Sequence, residues 1–250
     1  MNRLRVELGE SHPSTINTMN NVALTYKNQG KYHKAEVLYK KCLDMKKVVL
    51  GESDPDTLRT MSNLAAIYRR IELYSEAEVL YRQCLDKMKL VLGESHPDTL
   101  GTMCNLANAY YNQEKYRDAE ELYKQCLDKM KLVLGESNPS TLTTMNNLAA
   151  IYDHQGRFSE AEVLYKQCLD KQKEVLGENH PSTLDTMNNL ALTYNQQGKA
   201  SDSEVLYKQC IAKQKVVLGE SHPQTLRTMN NLAEVCLDKM KVVLESHPDT

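Results

Sequence analysis

The sequence has no run of apolar residues long enough to cross a membrane, which would take roughly 20 in succession. Its first residues, MNRLRVELGESHP, lack the apolar stretch of a secretory signal peptide. Neither sign of charge is in excess, because 31 Lys and Arg stand against 33 Asp and Glu. Broad binding to nucleic acid or to an anionic membrane needs clustered positive charge. We therefore expect a cytoplasmic protein with no membrane insertion and no nucleic-acid partner.

Motifs of catalytic and metal sites are also missing. There is no glycine-rich phosphate loop and no nucleophile elbow. Five of the seven histidines stand directly before a proline, and neither His33 nor His154 recurs with cysteine or carboxylate partners at ligand spacing. We therefore expect no enzymatic activity, no metal and no cofactor.

The seven cysteines do not predict disulfides. Five of them recur every 42 residues, at Cys42, Cys84, Cys126, Cys168 and Cys210. Equivalent positions in stacked helical layers lie about 10 Å apart, whereas a disulfide needs Cα atoms within about 7 Å. We expect each of these thiols to pack as a small buried hydrophobic group.

What the sequence does contain is one segment repeated. An X-Pro step recurs every 42 residues, at Pro13, Pro55, Pro97, Pro139, Pro181 and Pro223. A fixed period of about 20 to 50 residues indicates a solenoid, in which each unit contacts its neighbours. We expect a single array over 1–250. It would comprise the end of a preceding repeat (1–9), five full repeats (10–51, 52–93, 94–135, 136–177, 178–219) and a shortened repeat (220–250).

The first half of each repeat predicts a helix. Met19, Val22, Ala23 and Tyr26 have the i, i+3, i+4, i+7 spacing of one helix face. Proline fits the first helical position, and the residue before it is favoured as the N-cap. A glycine supplies the left-handed stop in three repeats, at Gly30, Gly156 and Gly198. Glu72 and Glu114 take that place in two others, so those turns should be strained or differently shaped.

The second half predicts another helix, with Ala35, Leu38, Tyr39, Cys42 and Leu43 on its apolar face. A capping box indicates its start in three repeats, at Ser75 with Glu78, Ser159 with Glu162, and Ser201 with Glu204. The short turns between helices favour antiparallel hairpins. Tyrosine recurs in both helices, and we expect these rings in the core rather than on a nucleic-acid stacking platform, because no basic groove accompanies them.

The last repeat departs from the others, because TMNNLA runs directly into EVCLDKMKVVL. The hairpin turn is lost, so we expect one helix of about 20 residues from Pro223 to about Leu244. At the other end, 1–8 matches the end of a second helix.

These features resemble the tetratricopeptide repeat, whose pattern is W-x2-L-G-x2-Y, then A-x3-F, then P. The first full repeat has Met19, Val22, Ala23, Tyr26, Ala35 and Tyr39 in those places, without the terminal proline. The segments NNLALTY, QGKY, AEVLYKQCLD and VLGESHP resemble the 42-residue repeats of kinesin light chain. The resemblance implies an all-α, right-handed superhelical solenoid of antiparallel helix hairpins, with the first helices along a concave groove. No heptad stretch like the one that joins kinesin light chain to its motor precedes the repeats, so an association with the cytoskeleton stays open.

A second stripe on the first helix lies opposite its apolar face. On a helical wheel it contains Asn17, Asn21, Leu24 and Asn28. One asparagine of this stripe recurs in every repeat, at Asn21, Asn63, Asn105, Asn147, Asn189 and Asn231. A side-chain amide both donates and accepts, so such a row could bind the backbone of an extended peptide. The alternatives are that duplication copied a harmless residue, or that the amides bond neighbouring helices.

Charged residues at or beside the stripe vary along the chain. Lys27, Arg59, Arg69 and Arg70 suggest a local basic spot, and Asp153 and Asp185 make later repeats more acidic. One reading is that the acidic end of a peptide lies on the earlier repeats, and the other is that these are scattered surface charges. The function we expect is non-catalytic binding of an extended protein segment, as in cargo binding by kinesin light chain. The rival is an array that self-associates through its open ends, without a dedicated peptide ligand.

Overall fold

The computed structural model describes residue 9 and residues 12–246. Within them it has eleven α-helices and no strand, which confirms the all-α prediction. The expected end of a preceding repeat lies, apart from Gly9, outside the described residues, as does His247.

Contacts group the helices into two compact units. The unit that ends at Val133 contains α1 (Pro13–Asn28), α2 (Tyr32–Val49), α3 (Pro55–Arg70), α4 (Tyr74–Val91), α5 (Pro97–Asn112) and α6 (Tyr116–Val133). The unit that begins at Leu134 contains α7 (Pro139–His154), α8 (Phe158–Val175), α9 (Pro181–Gln196), α10 (Ala200–Val217) and α11 (Pro223–Ser246). Within each unit every helix packs against the next along the chain, so consecutive helices form hairpins.

The first helix of each hairpin begins as the sequence predicts. Proline occupies its first position, and the preceding residue has an extended backbone, with φ −68° and ψ 135° at His12. The cap side chain accepts a backbone hydrogen bond, as when Oδ1 of Asp54 accepts from the Asp56 N–H at 2.8 Å. Nδ1 of His96 accepts from the Asp98 N–H at 3.1 Å in the same way. Histidine, aspartate and asparagine are therefore interchangeable here because each offers one acceptor.

The turn inside the hairpin requires a left-handed residue. Gly30 has φ 71° and Gly156 has φ 74°, which confirms the predicted stop. Glu72 and Glu114 adopt the same conformation, with φ 64° and 60°. The predicted strain is therefore present, because a Cβ atom is disfavoured in this region.

The predicted capping boxes are wrong. The second helices begin one residue before the serine, at Tyr74, Phe158 and Ala200, and their N-caps make no side-chain hydrogen bond. Each glutamate instead forms an ion pair with a lysine of the following repeat: Glu78 with Lys115 at 2.7 Å, Glu162 with Lys199 at 2.8 Å and Glu204 with Lys239 at 2.6 Å. A lysine ammonium gives the glutamate a charge-assisted hydrogen bond, which is stronger than the neutral hydrogen bond of a capping box.

Within each unit, the core lies between the two helices of a hairpin and the first helix of the next. It contains the second-helix tyrosines Tyr39, Tyr81, Tyr123, Tyr165 and Tyr207, all fully buried. The repeating cysteines are buried too, and each also donates its thiol hydrogen to a first-helix carbonyl, as from Cys84 to Leu58 at 3.1 Å. The prediction of small buried thiols is therefore right about burial but missed this hydrogen bond.

The shortened repeat forms one helix, as predicted, although α11 runs to Ser246 and has 24 residues. It packs on α10 through Val235, which lies against Tyr207 and Ala191. Because α11 has no second helix of its own, Leu226 and Met229 are 47% and 40% exposed. The equivalent Leu184 and Met187 on α9 are 1% and 4% exposed.

Candidate functional site

The recurring asparagines, here called the amide stripe, lie at the middle of the first helices. Asn21, Asn63 and Asn105 belong to one unit, and Asn147, Asn189 and Asn231 belong to the other. Among the residues that the structure describes, the first five of these side chains make no hydrogen bond, and none of their amide atoms is both buried and unpaired. Their donors and acceptors are therefore open to solvent.

Where the residue before a stripe asparagine is itself an asparagine, as at Asn20 and Asn146, it behaves differently. Asn20 Oδ1 accepts from the Thr60 hydroxyl at 3.3 Å, and Asn146 Oδ1 accepts from the Thr186 hydroxyl at 3.0 Å. These bonds join first helices of successive hairpins, because each threonine lies one repeat after its asparagine. The alternative that the amides bond between adjacent helices therefore applies to Asn20 and Asn146, one residue before the stripe.

Asn231 departs from the rest of the stripe. Its Nδ2 donates to Oδ1 of Asn188 at 3.3 Å. Asn188 is itself buried. In α11 the amide of the stripe residue is thus already hydrogen-bonded to another residue of the protein.

Two adjoining cavities lie along the stripe in the first unit. One of about 290 Å³ is lined by Asn17, Asn20, Asn21, Lys46, Asp56, Arg59, Thr60 and Asn63. The next, of about 170 Å³, is lined by Arg59, Ser62, Asn63, Met88, Pro97, Asp98, Gly101, Thr102 and Asn105. Asn63 and Arg59 border both, so the stripe residues of this unit face a shared surface.

Lys46 on α2 is a member of this surface that the sequence analysis missed. It is only 4% exposed, and its Nζ donates to the main-chain oxygen of Asp56 at 3.3 Å. The equivalent residues in later repeats are Met88, Met130, Gln172 and Gln214, all buried. The 42-residue register alone would have shown that a lysine replaces methionine or glutamine, but not that its side chain is buried beside a cavity.

The predicted basic residues do not form one group. Lys27, Arg69 and Arg70 lie together, since burial first and then the charges of Arg70 and Arg69 lower the pKa of Lys27. Arg59 lies nearer the start of α3, about 15 Å from Arg69 at about 1.5 Å per helical residue. Its guanidinium pairs with Asp56 at 2.7 Å and with Asp98 at 3.3 Å, so its charge is already compensated.

The acidic residues of the later repeats are held within the second unit. Burial raises the pKa of Asp153 to about 6, and the Thr193 hydroxyl donates to this carboxylate at 2.9 Å. Burial also raises the pKa of Asp185, which accepts from Gln224 at 3.0 Å and pairs with Arg227 at 3.4 Å. The charge of Asp185 is therefore compensated by Arg227, and the Asp153 carboxylate is held against α9 by Thr193.

Within residues 9 and 12–246, no three His, Cys, Asp or Glu side chains gather into a group that could hold a metal ion. Over the same residues, no helix is both long and apolar enough to span a bilayer.

Comparison with known proteins agrees with this repeat geometry. The tetratricopeptide repeat family model matches residues 1–47, 14–90, 56–131, 98–174 and 140–215. The chain belongs to the tetratricopeptide repeat family. A search of curated proteins found no match.

Among solved tetratricopeptide structures, a kinesin light chain-like protein of Podosopora anserina with nearly identical TPR-like repeats is 27% identical. The match covers 83% of this chain and 98% of that one, with a TM-score of 0.70. BtubC (BKLC) from P. vanneervenii has a TM-score of 0.72 at 22% identity, covering 89% of this chain and 88% of that one. The repeats are thus of the kinesin light chain type, as the sequence predicted.

The quorum sensor NprR from B. thuringiensis, in its apo form, shares the fold at 18% identity and a TM-score of 0.67. The match covers 90% of this chain and 59% of that one. A tetratricopeptide scaffold of this kind suits protein–protein interaction, since stacked hairpins expose an extended surface made of recurring positions.

Proposed function

We propose that the chain is a non-catalytic adaptor that binds an extended segment of a partner protein along the part of the amide stripe in each unit. The observation that carries the proposal is the free state of the side chains of Asn21, Asn63, Asn105, Asn147 and Asn189 within the described residues. Asparagine in the middle of a helix costs several tenths of a kcal/mol relative to alanine. Five unpaired amides are therefore placed where they weaken the helices, and a ligand would use them.

The chemistry of the stripe fits a peptide backbone. Each amide offers a carbonyl acceptor and an NH2 donor, which match the N–H and C=O of one residue in an extended chain. Backbone recognition is independent of the ligand's side chains, so selectivity would come from neighbouring positions that vary. In the first unit these include Arg59 at the cavity boundary and, farther along α3, Arg69 and Arg70 beside Lys27.

A peptide-library pull-down tests the proposal. The variant carries alanine at Asn63, Asn105 and Asn147. The matched control carries alanine at Gln83, Gln167 and Gln209, three exposed amides on second helices. Each lost neutral hydrogen bond is worth about 1 kcal/mol, so we expect capture by the asparagine variant to fall about tenfold or more. Equal capture by all three proteins would leave the stripe without a role in binding.

A second candidate function rests on the last helix. The exposed Leu226 and Met229 of α11 occupy positions that a second helix covers in the full repeats. This face favours self-association through α11. Light scattering over a range of concentrations separates the two candidates: a constant monomer mass favours the adaptor, and growth that Leu226→Lys abolishes favours self-association.

A further inference from the structure

The cavity of about 290 Å³ in the first unit holds an unbalanced buried charge. Lys46 is 4% exposed, and its ammonium has three donors but makes one hydrogen bond, to the neutral main-chain oxygen of Asp56. Among the described residues no carboxylate forms an ion pair with it. A charge held away from water in this way calls for an opposite charge.

The other charges at the cavity do not meet this need. The Asp56 carboxylate accepts from Arg59 at 2.7 Å, and Arg59 also reaches Asp98 at 3.3 Å. Those three groups satisfy one another, so within residues 9 and 12–246 they leave no carboxylate at this cavity to pair with Lys46. The surrounding Asn17, Asn21 and Asn63 add amide donors on the same cavity.

The next cavity along the stripe provides an internal comparison. There the position equivalent to Lys46 is Met88, whose Sδ contacts the Thr102 hydroxyl at 3.3 Å. The fold therefore does not need a lysine at this position, because Met88 and Met130 fill it with 1% and 3% exposure. The lysine is a property of the first full repeat alone.

We infer that the Lys46 cavity binds the carboxylate of an aspartate or glutamate side chain in the partner segment. The inference deepens the proposed function and rests on it for the identity of the ligand as a peptide. A volume of about 290 Å³ is several times the roughly 30 Å³ of a water molecule, so a short acidic side chain has room to enter. Its oxygens would accept from the Lys46 ammonium and from a neighbouring amide, a charge-assisted pair in a partly desolvated place.

The test uses a decapeptide pool synthesised twice, with glutamate or with glutamine at one fixed position. Wild-type protein and Lys47→Met should prefer the glutamate pool by about tenfold or more, because a buried charged hydrogen bond is strengthened by desolvation. Lys46→Met should bind both pools alike. Lys47→Met is the matched control, since it removes the same charge one residue away and outside the cavity lining.

A small-molecule arm keeps the inference testable when no peptide binds. N-acetylglutamate amide should raise the thermal midpoint of wild-type protein and shift the Lys46 side-chain resonance, whereas N-acetylglutamine amide should do neither. A glutamate preference that persists in Lys46→Met, or no response to the anionic amide, overturns the inference. A Lys46-dependent preference that survives alanine at Asn63, Asn105 and Asn147 overturns the amide stripe instead.

Discussion

The Thr193 hydroxyl on α9 lies 2.9 Å from a carboxylate oxygen of Asp153 on α7. This bond joins the first helices of two successive hairpins in the second unit. It does not fully compensate the carboxylate, because burial still raises the pKa of Asp153 from 3.8 to about 6. The ionised form is therefore disfavoured in the folded state.

Asp153→Asn is expected to stabilise the protein at pH 7. The folded pKa is above the unfolded one, so the contribution of Asp153 to stability is greatest below about pH 3.8 and is lost as pH rises to about 6. Asparagine keeps an acceptor for Thr193 and removes the charge, and Asn195 already occupies the equivalent position in the next repeat. With allowance for solvent screening of this partly exposed group, we expect a gain of about 1 kcal/mol at pH 7.5.

Urea denaturation at pH 4 and pH 7.5 measures this effect, with Asp170→Asn on the exposed side of α8 as the control. The gain from Asp153→Asn should shrink towards zero at pH 4. A gain of equal size at both pH values would show that the carboxylate charge is not its cause.

Glycine at either left-handed glutamate is expected to stabilise its hairpin. A side chain costs about 1–2 kcal/mol in the left-handed region, and glycine returns part of that as extra freedom of the unfolded chain. Glu72→Gly and Glu114→Gly should therefore each raise the free energy of unfolding by about 0.5–1 kcal/mol. Both side chains are exposed, so no packing is lost.

The reverse substitution in a matched turn completes the comparison. Gly156→Glu, at φ 74°, should lower the stability by a similar amount. The urea midpoints of Glu72→Gly, Glu114→Gly and Gly156→Glu, compared with that of the wild type, measure these changes in stability. If Glu72→Gly and Gly156→Glu shift the midpoint in the same direction, backbone strain is not the origin of the effect.

Cys104 and Cys126 are expected to form a disulfide in oxidised glutathione. Their Sγ atoms are in contact at 2.7 Å, and this hydrogen bond, followed by burial, raises the pKa of the Cys126 thiol. The half-buried Cys104 would react first, and Cys126 would then displace glutathione from the mixed disulfide. Two thiols and one oxidised glutathione thus give one protein disulfide and two reduced glutathione molecules.

Mass spectrometry of the intact protein and of its peptides detects the loss of two hydrogens and the linked pair. The cross-link should raise the free energy of unfolding by about 2–4 kcal/mol. Cys104→Asn, which restores the residue found at Asn20 and Asn146, is the control and should stay reduced at Cys126. A linked pair that excludes Cys104, or no linked pair, contradicts the prediction.

The sequence was sufficient for features that depend on local chemistry. The starts of the first helices follow from a proline and one acceptor before it, as at Asp54 and Pro55, and the left-handed turns follow from Gly30 and its equivalents. The continuous α11 follows from the missing turn residues. Each of these signals lies within a few residues of the structure that it specifies.

Features that depend on the next repeat could not be predicted in the same way. Ser75 and Glu78 match a capping box, but Glu78 pairs with Lys115, 37 residues away. Lys46 is unremarkable in a helix rich in lysine until packing buries it next to Asp56. Cys104 likewise breaks the asparagine pattern, but only the packing of α5 on α6 brings its thiol to Cys126.

The threonine that bonds Asn20 from α3 has counterparts on later first helices, as from Thr102 to Ser62 and from Thr186 to Asn146. The threonine recurs in every repeat, and it meets an asparagine or serine at these three junctions. A hairpin added there by tandem gene duplication would form the same hydrogen bond with its new neighbour. Lengthening the chain would then require no compensating change at the junction. Ligand preference can evolve separately, since the position of Lys46 carries methionine in the next two repeats, as Met88 and Met130.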